Sequence, residues 1–137
     1  MIKSVIVSRL ADGLTFCESN EGYMDEQMLS VKHKVKRYLT EVAQYSRKDQ
    51  SSLRHIDNPS FGIFYKVHNY VVFTLIADKT YPLKLAAAFL DSIIAPFFDE
   101  VRTHFTAANY ESKLETLTSE LYFIKFDRKI KEKKREF

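Results

Sequence analysis

Four histidines, one cysteine and an adjacent pair of carboxylates are the residues whose chemistry comes first to attention. His33, His55, His68 and His104 fall on a helix, an edge segment, a turn and a helix end, and no two have the spacing of a metal-ligand pair. Cys17 would need an activating His or a helix N-terminus to act as a nucleophile. It sits beside Glu18 in a strand-like segment, which predicts a buried, inert thiol. Asp99 and Glu100 are neighbours on a helix and diverge, so they cannot share a proton as an acid–base pair. No phosphate-cradling glycine motif and no nucleophile elbow occurs, and 3 Gly could hardly build one. The expectation is a protein that is not an enzyme, with no catalytic, cofactor-binding or metal residues and no cofactor.

The elements that position these residues belong to one domain. The chain has 137 residues, 45% hydrophobic and 14% aromatic, enough to close a core without staples. A single Cys excludes an internal disulfide and fits a reducing compartment. The charge is 21 minus 18, or +3, too small for a whole-protein nucleic-acid binder. From Lys125 to Glu136 there are seven basic and three acidic residues, so the positive balance lies in the tail. Lys129, Lys131, Lys133, Lys134 and Arg135 read either as a solvated helix end or as membrane-proximal cations. The second reading is worth about 1 kcal/mol each near anionic lipid. Interleaved aromatics for base stacking are missing, and nucleic acid is not expected. No apolar run approaches the ~20 residues of a membrane span, and no secretory or lipidation signal stands at either end. The chain as given reads as soluble and cytosolic.

Ile2–Arg9 predicts a strand with Ile2 and Ile6 on one face and Val5 and Val7 on the other. Ala11-Asp12-Gly13 turns the chain, and Leu14–Cys17 returns as its partner. Met24, Met28, Val31, Val35, Tyr38, Leu39 and Val42 recur at helical spacing. Arg47–Ser52 breaks that pattern. Leu53–Ile56 is a short edge strand, and Asn58-Pro59 a turn. Phe61–Val67 and Tyr70–Asp78 form a hairpin around His68-Asn69. Thr80-Tyr81-Pro82 opens a long helix, which Pro96 is expected to kink or end. Its buried stripe is Leu83, Ala86, Ala87, Leu90, Ile93, Ile94, Phe97, Phe98 and Val101. Ser112 and Glu115 fit a capping box for a last helix through Leu114, Leu117, Leu121 and Ile124, either unbroken or broken near Tyr122. The order β-β-α-β-β-β-α-α predicts an α+β sandwich. Its five-stranded antiparallel sheet carries one helix on one face and two on the other.

That order resembles the longin domains, the profilin-like N-terminal domains of certain SNARE proteins. Within them the chain resembles the R-SNARE of transport between endoplasmic reticulum and Golgi, the Sec-twenty-two type. Four stretches carry the resemblance: Arg9–Leu14; Phe61–Asp78; Tyr81–Ala86 with Phe89-Leu90 and Phe98–Glu100; and Tyr122–Asp127. Thr15 stands where Pro is usual in that type, and Glu120-Leu121 where Arg-Pro is usual.

The resemblance implies a longin domain over residues 1–130. Residues 131–137 would then form a charged end leading to a SNARE motif and tail anchor that these 137 residues do not include. It implies regulation by binding: the domain's own SNARE segment, other SNAREs or vesicle coat proteins, at the cytosolic face of endoplasmic reticulum and Golgi membranes. Membrane attachment would come only through the absent anchor. The expected partner groove lies between the first helix and the Leu53–Ile56 strand, with Tyr38, Leu39, Val42, Leu53 and Ile56 as anchors. A longin-like subunit of a tethering or adaptor complex is the alternative. A profilin-like domain with a small-molecule pocket is a third reading.

Overall fold

The computed structural model describes residues 2–22, 25–42, 50–105 and 110–137. Tyr23, Met24, residues 47–49 of the expected break and Ala107 lie outside these, as do the side chains of Val42 and of residues 50–52.

Five strands form one antiparallel sheet: β1 (Ile2–Arg9), β2 (Thr15–Asn20), β3 (Gln50–Ile56), β4 (Phe61–His68) and β5 (Val71–Asp78), in the order β2-β1-β5-β4-β3. β5 lies at the centre because seven successive residues, Val71 to Ala77, are buried, as a strand covered on both faces requires. Phe73 and Leu75 are both fully buried there. The β4–β5 turn is Asn69-Tyr70, one residue later than expected. Both residues have positive φ (49° and 63°), the backbone whose twist suits a two-residue hairpin. At the first hairpin Gly13 takes φ 76°, and Asp12 Oδ1 accepts from Leu14 N at 3.1 Å.

Two irregularities reassign faces. A register shift between Ile2 and Ser4 puts Ile2 in the same cluster as Val5 and Val7, not opposite them beside Ile6. A second shift lies opposite Val7 and Ser8, where Phe16 is the extra residue between the pairs Val7↔Cys17 and Ser8↔Thr15. Phe16 and Cys17 are therefore both buried in that same cluster, as a bulge allows.

Helix α1 (Glu26–Val42) covers one face. Asp25 starts it, its carboxylate accepting from Met28 N at 2.8 Å. Met28, Val31, Val35 and Leu39 pack on Ile63, Tyr65, Val67, Val72 and Ile76. The opposite face carries α2 (Leu83–His104), α3 (Tyr110–Thr116), a 3-10 turn (Ile124–Phe126) and α4 (Asp127–Lys134). The last helical stripe is thus divided near Tyr122, which was one of the two expected alternatives, and three helices lie on this face.

Helix α2 runs through Pro96 without ending. Phe97 and Phe98, which follow it, pack into the aromatic core and hold the segment helical. Phe97 meets the rings of Phe16, Phe73, Phe98, Phe123 and Phe126 at centroid distances of 5.4–6.1 Å. Phe89, absent from the expected stripe, is fully buried, whereas Leu83 is 58% exposed.

Ser112 is inside α3 and does not cap it. The expected last helix breaks over residues 117–123, where Leu121 takes φ 58°. The backbone N–H groups of Leu121 and Phe123 go instead to the Thr15 and Phe16 carbonyls of β2, at 2.7 and 2.9 Å. Glu120, in place of the usual Arg, accepts from Thr15 N at 3.0 Å. The Arg9 guanidinium fastens α3, donating to the carbonyls of Leu114, Glu115 and Leu117 at 2.9, 3.0 and 2.8 Å.

Candidate functional site

The sheet has two edges, and the chain treats them differently. The β2 edge is bonded by residues 120–123, as described above, and Lys134 Nζ donates to Ser19 Oγ at 3.2 Å. The β3 edge ends the sheet. No backbone among the described residues bonds its outer side. Alternate N–H and C=O groups of that side are thus left to solvent or to an added strand.

The local sequence sets β3 in place through its turn. Asn58 Oδ1 accepts from Ser60 N and Phe61 N at 2.9 and 3.0 Å, an Asx turn that leads into β4. Lys79 donates to the Asn58 carbonyl. Gln27 Nε2 of α1 reaches Ser60 Oγ at 3.1 Å and ties the helix to that end of the hairpin.

The register Arg54↔Tyr65, His55↔Phe64, Ile56↔Ile63 decides which side chains share a face. Arg54 and Ile56 pair with residues of the α1 cluster, so they lie on the α1 side. Ile56 is half-buried against that cluster. Tyr38 is 41% exposed, and its ring stands edge-on to Tyr65 at 6.5 Å. Burial raises the pKa of the Tyr65 phenol, the neighbouring Tyr38 adds to this, and Arg54 opposes it. Tyr38, Arg54 and Ile56 thus surround the buried ring of Tyr65 at the open edge.

Of the five expected groove residues, the structure brings Tyr38 and Ile56 to this rim. Leu39 is 6% exposed and belongs to the core under α1, because it faces the sheet in the same row as Val31 and Val35. Leu53 packs against the other cluster, under α2. The side chain of Val42, at the end of α1, lies outside the described residues. Arg54 and Tyr65 were not among the expected anchors. The alternation of β4 against an edge strand was the signal that could have found them.

The five candidate membrane-proximal cations lie at the other end of the chain. On α4, Lys131 pairs with Asp127 at 3.3 Å, and Lys129 with Glu132 at 3.9 Å. Lys133 reaches Glu136 at 3.7 Å. Lys134 is partly buried on Ser19, and its pKa is lowered by that burial. Arg135 is exposed and has no ion pair among the described residues. The helix therefore neutralises much of its own charge. The residues that follow α4 also belong to the fold, since the Phe137 ring meets Phe89 at 5.7 Å. Among the described residues no helix is long and apolar enough to cross a membrane.

Cys17 is buried, and desolvation pushes its thiol up to about 12. No metal-holding group of His, Cys, Asp and Glu occurs among the described residues.

A five-stranded antiparallel sheet with α1 on one face and α2, α3 and α4 on the other is the longin architecture. No protein-family model matches the chain. It is 27% identical over 140 residues to the vesicle-trafficking protein SEC22b-B of Danio rerio, covering 100% of this chain and 59% of that one. It is 30% identical over 97 residues to the protein transport protein SEC22 of Saccharomyces cerevisiae, covering 71% and 43%. With the protein transport protein sec22 of Schizosaccharomyces pombe it shares 30% over 100 residues, covering 72% and 44%. These relatives support reading the chain as a longin domain of the Sec22 type. It spans about half the length of the curated relatives it matches.

Proposed function

We propose that this chain is the regulatory N-terminal domain of a SNARE protein in vesicle transport between endoplasmic reticulum and Golgi. It acts by binding and carries out no catalysis. Its partners are the SNARE segment of the same protein, other SNAREs and vesicle coat components. The names of the relatives, a vesicle-trafficking protein and protein transport proteins, support the setting.

The observation that carries the binding reading is the contrast between the two sheet edges. β2 is bonded by the chain itself, and among the described residues nothing bonds the outer side of β3 beside Tyr38, Arg54 and Ile56. An extended peptide added to β3 would gain main-chain hydrogen bonds. Apolar side chains of that peptide would reach Tyr38 and Ile56, and acidic ones Arg54. Within one chain the effective concentration of such a segment is about millimolar, so a weak contact in trans suffices for regulation in cis. The α4 cations would face an anionic membrane in the same arrangement.

The test is fluorescence anisotropy with a labelled peptide. Its sequence is the segment that follows the aligned region in the Danio rerio relative. Binding to the wild-type domain should weaken about tenfold or more in Tyr38→Ser, whose melt should be nearly unchanged at that 41% exposed site, and in Ile56→Asp, used at a temperature where its own melt shows it folded. Equal binding by both variants would refute the groove. Absence of any peptide binding at millimolar concentration would favour a permanently partnered tethering or adaptor subunit.

A further inference from the structure

The two faces of the sheet hold their helices unequally. α2 buries Phe89, Phe97 and Phe98 together with Ala86, Leu90, Ile93 and Val101, and Ile130 of α4 joins the same cluster. Among the described elements α1 is alone on its side. Its buried side chains are Met28, Val31, Val35 and Leu39, none of them aromatic, and they lie over β4 and β5.

Over β1 and β2 the same sheet face is polar. It presents Ser4, Ser8, Glu18 and Asn20, which the strand register places beside Ile6. Between this half and α1 lies a cavity of about 210 Å³, walled by Ile6, Leu29, Val35 and Leu39. Thr74 shares the face, opposite both Ile6 and Tyr65. It is 1% exposed, and its hydroxyl has no hydrogen-bond partner among the described residues. Lifting α1 would return that hydroxyl to water, so it weighs against the docked helix.

One polar cluster fastens α1 on this flank. Lys32 pairs with Glu18 and donates to Asn20 Oδ1 at 2.7 Å. Ser4 Oγ donates to the same oxygen at 2.7 Å, and Asn20 Nδ2 to Glu18 Oε1 at 3.1 Å. Docking takes the Lys32 ammonium out of water, and burial lowers its pKa to about 8. Such a pair adds little net stability while it is intact, but removing one partner strands the other. On the opposite flank Tyr38 meets Tyr65 beside Ile56 and the β3 edge. The helix therefore spans the sheet from a polar fastening at β2 to the rim of the open edge.

We propose that α1 is a latched lid: it undocks from the sheet as one unit while β5 and α2 stay folded, Lys32, Glu18 and Asn20 hold it down, and a partner at the β3 edge closes it. A helix of 17 residues is marginal in water on its own, so undocking melts it. Few buried apolar side chains, a cavity beneath the helix and an unpaired buried hydroxyl all lower the free energy of that opening. A peptide that touches both β3 and Tyr38 binds the docked state alone and so shifts the equilibrium toward it. This closing by a partner rests on the β3 groove proposed above; the lid and its latch do not.

Native-state hydrogen exchange of the free labelled domain tests the lid with no peptide present. The amides of Val31 to Leu39 should exchange at least about a hundredfold faster than those of Phe73 and Leu75, and should converge on one urea-dependent opening. Equal protection of α1 and β5 would overturn the lid, as would α1 amides with unrelated, urea-independent rates. Glu18→Gln and Lys32→Met should each speed α1 exchange about tenfold, and the double variant by less than the product of the two, because neither charge is then stranded. Effects that simply multiply would overturn the latch. The peptide of the groove test, at about ten times its dissociation constant, should slow α1 exchange about tenfold by mass action. A peptide that binds the wild type yet leaves α1 exchange unchanged would overturn closing by a partner. Absence of peptide binding would refute the groove, while exchange in the free domain still decides the lid.

Discussion

Phe97→Ala should be among the most damaging single truncations in this domain. The Phe97 side chain is fully buried and stands at the junction of α2, β2, β5 and the 3-10 turn. Five phenylalanine rings lie within 6.1 Å of its centroid, four of them edge-on. Truncation removes the transfer energy of the ring and leaves a cavity that four separate elements would have to close. The expected cost is about 3–5 kcal/mol, out of a total stability of roughly 5–15 kcal/mol for a domain of this size. An unfolding entropy of about 2.1 cal/mol/K per residue, over 137 residues, gives about 0.29 kcal/mol/K. The melting temperature should then fall by about 10–17 °C. Differential scanning calorimetry on the variant, with Leu83→Ala at a 58% exposed site as control, reads this directly. The control should move by about 2 °C or less. A loss below about 1 kcal/mol for Phe97→Ala would show that the ring does not join the helical face to the sheet, and would refute this packing.

Leu75→Ala, at the fully buried centre of β5, should cost about 2–5 kcal/mol in urea titration; a loss near zero would mean the strand register is wrong. Tyr70→Gly should stabilise by about 1 kcal/mol, since Tyr70 holds φ 63° in the turn and glycine takes that backbone without strain; a lower melting temperature would contradict this. Burial raises the Cys17 pKa from 9.0 to about 12, so the folded state keeps its proton where the unfolded state has lost it. Stability from this group is complete below pH 9 and declines as pH rises toward 12. Cys17→Ala should flatten that decline in melts across the range, and the native thiol should resist iodoacetamide at pH 8. An unchanged slope would show that Cys17 does not titrate as buried.

The strand pairs and helices were legible because their apolar periods are strong: Phe61–Asp78 alternates and then runs apolar as a central strand must. The errors arise where backbone geometry departs from a regular period. Ile2 changes face because a bulge adds half a period before Ser4, and nothing in the residue types marks it. The last helical stripe left a break near Tyr122 open, and the break is taken at Leu121, whose N–H finds a partner in β2. That competition is tertiary and lies beyond any local window. The helix stripe identified Leu39 as apolar but could not say whether the sheet was wide enough to cover it, and the sheet does cover it. Leu53 and Ile56, three residues apart on a strand, necessarily face opposite sides, a parity that grouping them as one edge overlooked. Thr74 is a single polar residue in the apolar run Val71–Ala77, and its unpaired hydroxyl becomes visible only once α1 is in place.

The central claim is that the open β3 edge and the adjoining rim of α1 form the partner-binding surface. Its most direct test is an amide-shift map of the labelled domain titrated with the SNARE-segment peptide of the Danio rerio relative. Saturable shifts are expected along Arg54, His55 and Ile56 and at Tyr38, with the β2 edge unmoved. Shifts confined to α4, or spread along β2 and residues 120–123 while β3 stays silent, would contradict it.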